Sequence, residues 1–143
     1  MTHVRATQND RIFFRIPREH LRPAGLKRLE RLEKYNDYKS SLYEEAKKKH
    51  FEIPPAGLVV TFYMPLPKSW TKKKRKLYHG YLCQSRPDID NLIKSFFDSL
   101  LQEDKHIASV TATKRWTDSV HGWIECKFID EPMQVPIEPP VKG

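Results

Sequence analysis

One stretch constrains the fold more than any other: RPDIDNLIKSFFDSLLQ, residues 86–102. Leu92, Ile93, Phe96, Phe97, Leu100 and Leu101 recur at helical spacing and make a wide apolar stripe. Pro87 and Asp88 supply its start signal. A stripe that wide has to be covered, and the flanking sequence offers strands to cover it. RIFFRIP (11–17) reads as a short strand ended by Pro17. GLVVTFYM (57–64) reads as another, with Leu58, Val60 and Phe62 on one face. IASVTATKRW (107–116) and VHGWIECKFI (120–129) are two more, joined by a tight T-D-S connection. In the second of these, Val120, Ile124, Cys126 and Phe128 alternate with Trp123, Glu125 and Lys127.

Two further helices are expected. Tyr35, Tyr38, Leu42, Tyr43 and Ala46 keep helical spacing to about Lys49, with Asn36 or Asp37 as a candidate cap. Before them, LKRLERLEK could also be helical, but its leucines recur every third residue, so their face drifts around the axis. A loop and a short basic helix ending near Gly80 precede the main helix. The expected fold is α+β: a small mixed sheet with the 88–101 helix packed on one face. The 143-residue length suits one domain, placed at 1–130, followed by a proline-rich tail at 131–143.

Composition narrows the function classes. No apolar run reaches the roughly 18 residues that cross a bilayer. The amino end lacks the apolar core of a secretory signal, so a cytoplasmic protein is expected. Cys83 and Cys126 form no CxxC pair, and the six histidines lack metal-ligand spacing, which argues against zinc. Lys and Arg number 26 against 18 Asp and Glu, a net charge of +8 that points to a polyanionic partner such as nucleic acid.

Against that background the acids of the main helix stand out. Asp88 and Asp90 lie two apart at its start; Lys94 and then Asp98 follow Asp90 at intervals of four, along one edge. Asp104 stands in the turn that follows, where a suitable path would bring it back beside the helix. Carboxylates gathered in a basic chain would repel phosphate unless a cation sits between them. Mg²⁺ prefers such oxygens and activates water for phosphodiester hydrolysis. The residues alone leave structural roles open: Asp88 as an N-cap, Asp90 as a first-turn acid, Lys94 with Asp98 as an i,i+4 pair, Asp104 as a turn residue.

The segment PLPKSWTKKKRKLYHG carries Lys68, Lys72, Lys73, Lys74, Arg75 and Lys76 and no acid. It is either a solvated helix face or a DNA contact, with Trp70 and Tyr78 favouring the second. Lys114 shares a strand face with Ala108, Val110 and Ala112, where a lysine can snorkel outward. Trp116 and Trp123 read as packing residues.

RPDIDNLIKSFFDSL followed by EDKHIASVTATK resembles the RusA family of Holliday-junction resolvases, typically encoded by phages or prophages of bacteria. Arg86 to Leu92 with Lys94 match the family's helix start, and Asp98 its helix aspartate. Glu103-Asp104 with Ile107 match its D-D-x-x-V/I element, Glu103 replacing the first aspartate, and Lys114 matches the strand lysine. The resemblance is close over 86–129 and looser over 35–80. It implies Mg²⁺ (or Mn²⁺) held by Asp88, Asp90 and Asp104, with Lys94 assisting catalysis. It also implies a homodimer that cuts four-way DNA junctions in recombination, repair or replication, in the cytoplasm and on the nucleoid of a bacterial or phage-infected cell. Lys68, Lys72 to Lys76, Arg86 and Lys114 would hold the DNA backbone. No membrane and no organic cofactor are expected. The competing readings are a non-catalytic basic DNA-binding protein and a related nuclease acting on other branched nucleic acids.

Overall fold

The computed structural model describes residues 11–21, 27–101, 105–129 and 138–140. Four strands form one mixed sheet: β1 (Arg11–Ile16), β2 (Leu58–Pro65), β3 (Val110–Thr117) and β4 (Gly122–Phe128). Their spatial order is β1-β4-β2-β3, with β2 and β3 parallel and the other two pairs antiparallel. The helices are α1 (Arg18–Leu21), α2 (Arg28–Lys48), α3 (Lys72–Tyr78) and α4 (Ile89–Leu100). The α+β expectation therefore holds, down to the acid-bearing helix packed on one face of the sheet.

Alternation makes the covered face. Leu58, Val60, Phe62 and Met64 of β2 are each 1% exposed, and Ile124, Cys126 and Phe128 of the neighbouring β4 are buried beside them. Phe14 and Ile16 of β1 complete the floor. Onto it α4 lowers Leu92, Phe96 and Phe97, and α2 lowers Tyr38, Leu42 and Ala46. Phe96 is fully buried, with ring centroids 6.1 Å from Phe14, 6.3 Å from Phe51 and 6.3 Å from Phe62. Where α4 meets α2 the chain is small and polar. Ser95 and Ser99 are buried and return their hydroxyls to the helix backbone at Leu92 (3.0 Å) and Ser95 (2.6 Å).

Several details differ from, or add to, what the sequence led us to expect. The short connection between β3 and β4 makes no hairpin, because β2 lies between them. β2 has no exposed residue and, with β4, takes one of the two central places. The chain after β3 therefore steps across the end of β2, where Leu66 donates its N–H to the Thr117 carbonyl at 3.0 Å. Val120 falls outside β4 and is 66% exposed. Neither Asn36 nor Asp37 caps a helix, since α2 already begins at Arg28. Its drifting leucines, Leu29 and Leu32, simply face solvent. The tyrosine stripe also divides: Tyr38 and Leu42 enter the chain's own core, while Tyr35 and Tyr43 remain exposed. Most of the tail at 131–143 lies outside the described residues. No helix among those described is long and apolar enough to cross a membrane.

Tyr38 gives the core a pH limit. Burial raises its phenol to about 12, only partly offset by the hydrogen bond with Ser95 at 3.4 Å. The unfolded chain releases this proton near pH 10, while the folded chain keeps it. The phenol's own contribution to stability should be complete below pH 10 and fall by roughly 2–3 kcal/mol as pH rises toward 12. Tyr38→Phe should remove that alkaline loss, read as the urea midpoint followed against pH by circular dichroism.

Candidate active site

α4 presents the acids because the core fixes its rotation. With Phe96 turned into the sheet, Asp90, Lys94 and Asp98 lie about 120–160° away around the axis. All three are exposed, as is Asp88. Asp98 faces α2, where its charge, second to burial, raises the phenol of Tyr35.

Asp88 occupies the N-cap position with extended backbone, φ −66° and ψ 148°, yet its carboxylate makes no capping hydrogen bond. A cap bond contributes typically about 1 kcal/mol, and here it is left unmade. Asp88 contributes only its backbone carbonyl, which accepts from Leu92 N–H at 3.1 Å. The carboxylate is left available for another partner, and Asp90 stands beside it in the first helical turn. Two unengaged carboxylates at one exposed helix start suit a hard, oxygen-seeking dication. Among the described residues no three His, Cys, Asp or Glu side chains come together as a metal site. Asp104 and Glu103 lie outside those residues.

The segment entering α4 is fixed from beneath by β3. Gly80, with φ +87°, turns the chain out of α3 so that it can run back along the outer edge of that strand. Gly80 N–H donates to Trp116 O at 2.9 Å, Trp116 N–H to Tyr81 O at 2.8 Å, and Cys83 N–H to Lys114 O at 2.9 Å. Arg115 adds a guanidinium bond to Gly80 O at 2.8 Å. Lys114 sits on the covered face of β3, and its ammonium donates to the carbonyls of Ser85 and Pro87. Its partners are thus backbone carbonyls, where the sequence suggested a DNA phosphate or a side chain snorkelling to water.

A family model for endodeoxyribonuclease RusA matches residues 17–127. The chain belongs to that family. No curated protein and no solved structure gives a significant match. The matched span holds all four helices, β2, β3 and nearly all of β4, so the acids of α4 and the basic segment lie inside it. The family is one of DNA endonucleases, and the chain's positive surface has a polyanionic substrate to meet.

That surface is less uniform than its sequence. α3 buries none of its residues. Arg75 is drawn to Asp118 at 2.8 Å, and the Lys74 ammonium lies 3.9 Å from the centre of the Trp70 ring. Lys68, Lys72, Lys73 and Lys76 are exposed, as is Arg86 near the acids. Trp70 and Tyr78 are half-buried: Tyr78 packs on Trp70 at 5.4 Å and Trp70 on Trp116 at 5.6 Å, so the chain of rings anchors α3 to β3 and leaves little ring face for a base. Trp116 is buried as expected, and Trp123 donates its indole N–H to Ser119 at 3.1 Å. Sequence reading missed the partners Asp118 and Trp70, which three-dimensional contact alone supplies. It also missed Glu125, an acid on the other sheet face that is 5% exposed and paired with Arg11 at 2.5 Å.

The division of α3 can be measured. Changing Lys72, Lys73 and Lys76 together to Gln should lower the slope of log affinity against log salt by about 0.9 for each phosphate no longer neutralised. Changing Lys74 alone should do less, because its charge already faces an indole. Equal effects from both variants would remove the distinction.

Proposed function

We propose that the protein is a divalent-metal-dependent endonuclease that cuts four-way DNA junctions in recombination, repair or replication. One observation carries the reading: two exposed carboxylates, Asp88 and Asp90, are left unengaged by the described residues at the start of α4, in a chain of net charge +8. Without a cation they would oppose the phosphate that the surrounding surface attracts. Mg²⁺, or Mn²⁺ in its place, would offset that repulsion and supply an activated water.

Asp88, Asp90 and Asp104 are the residues proposed to hold the metal, the last on the strength of the family motif. Lys94, one helical turn beyond Asp90, lies on the same exposed edge and would stabilise charge on the attacked phosphate. Lys68, Lys72, Lys73, Lys76 and Arg86 would hold the DNA backbone to either side, with Lys74 and Arg75 as weaker partners. Resolving a junction needs nicks in two opposed strands, and one acidic cluster reaches one strand at a time. A two-fold homodimer would match the approximate two-fold symmetry of the junction.

Two measurements test this. Asp90→Asn should lower Mg²⁺-dependent cleavage of a synthetic four-way junction by more than about 10²-fold while leaving junction binding in place. Cleavage at the wild-type rate would take Asp90 out of the site. Sedimentation at micromolar concentration should show a dimer; a monomer making paired symmetric incisions would overturn that part.

A further inference from the structure

Lys114 is the register partner of Phe62, a residue 1% exposed, so it stands on the sheet face that the rest of the chain uses for its core. An ammonium in such a place needs hydrogen-bonding partners. It finds them in the carbonyls of Ser85 and Pro87, the second at 2.7 Å. The Pro87 carbonyl belongs to the peptide unit that ends at Asp88. We propose that Lys114 is a positioning residue for the acidic site: its ammonium clamps the 85–87 segment and so sets the direction in which Asp88 and Asp90 leave the start of α4. This rests on the reading of those two carboxylates as metal-holding.

Two features single the clamp out. The backbone pairing that seats residues 80–83 on β3 stops at Cys83, and among the described residues no backbone hydrogen bond joins 84–87 to that strand. The Lys114 side chain continues the attachment where the ladder ends. Two of the three N–H groups of its ammonium are also committed to carbonyls, which leaves it poorly disposed to act as a phosphate contact. Lysine suits the task because a flexible stem carries a compact three-donor head to two acceptors that lie two residues apart.

The full chain with Lys114→Met, Lys114→Gln and Lys114→Arg provides the test. Hydrogen exchange should quicken at residues 85–92 in the Met variant and stay unchanged at 58–64. Mn²⁺ affinity and kcat on a four-way junction should each fall roughly 10- to 100-fold, with KM and metal-free junction affinity held within about 2-fold. The Arg variant should recover part of both losses, and the Gln variant, which keeps an amide donor, should lie between. A raised KM with a flatter salt dependence and unchanged kcat would make Lys114 a phosphate contact and overturn the proposal. Unchanged exchange at 85–92, or loss of the fold in all three variants, would overturn it as well. If Asp90→Asn binds Mn²⁺ as well as the wild type, the metal-site reading fails separately, and the exchange comparison still decides whether Lys114 holds the segment.

Discussion

The rotation of α4 about its own axis is the constraint on which the rest of the molecule depends, and Phe96 fixes it. Its ring is fully buried among Phe14, Phe51, Phe62 and Phe97. Truncating such a ring costs about 3–5 kcal/mol, a large part of the stability of a domain this size. Once that ring is seated, the helix has no freedom to turn. Leu92 and Ser99 must face the core, and Asp90, Lys94 and Asp98 must face water. The same packing that closes the core therefore aims the polar edge outward, with no separate device.

Charge organisation follows from that arrangement and does not compete with it. The lysines of α3 project from a helix that buries nothing, and its attachment to the sheet comes from aromatic residues outside the basic row, Tyr78 against Trp70 and Trp70 against Trp116. Cations are thus carried on an element whose anchoring does not depend on them. The acids sit on a different helix, separated in sequence only by residues 79–87. A basic surface and an acidic point can coexist at such short range because each is exposed and neither neutralises the other. Where opposite charges do meet, as in Arg75 with Asp118 or Arg11 with Glu125, both members leave the pool available to a ligand.

Much of this is legible in the sequence, for identifiable reasons. Alternation over 57–64 and the stripe over 92–101 are strong local patterns, and both elements form where those patterns predict. The motif around Asp88 and Asp90 is equally plain, because its spacing is short and continuous. Long-range pairing is what local patterns do not carry. Nothing in the T-D-S connection says that β2 will intervene between β3 and β4; that is a matter of long-range pairing, in which Leu58, Val60, Phe62 and Met64 come to lie buried between the two. The amphipathic pattern marks α2 only from about Tyr35 and leaves its first turns merely possible, because exposed leucines at 29 and 32 carry no amphipathic signal, although they propagate a helix well. Lys114 reads as a surface cation because its acceptors are backbone carbonyls, which have no residue identity for a motif to record.

Such acceptors have a chemical advantage at a site of this kind. A carboxylate pair at a helix start needs a fixed approach to the helix, and side chains near the pair are poor candidates to provide it, since they would compete for the same carboxylates or for the phosphate. Backbone carbonyls avoid the competition. β3 grips residues 80–83 by main-chain pairing and residues 85–87 through one ammonium, so the acids are oriented by groups that never touch them. The result is a sheet strand acting as a template for the loop that leads into the proposed metal-holding acids. Asp88 can then leave its capping bond unmade: the attachment to β3 holds the entry to the helix, and the carboxylate stays open to a cation.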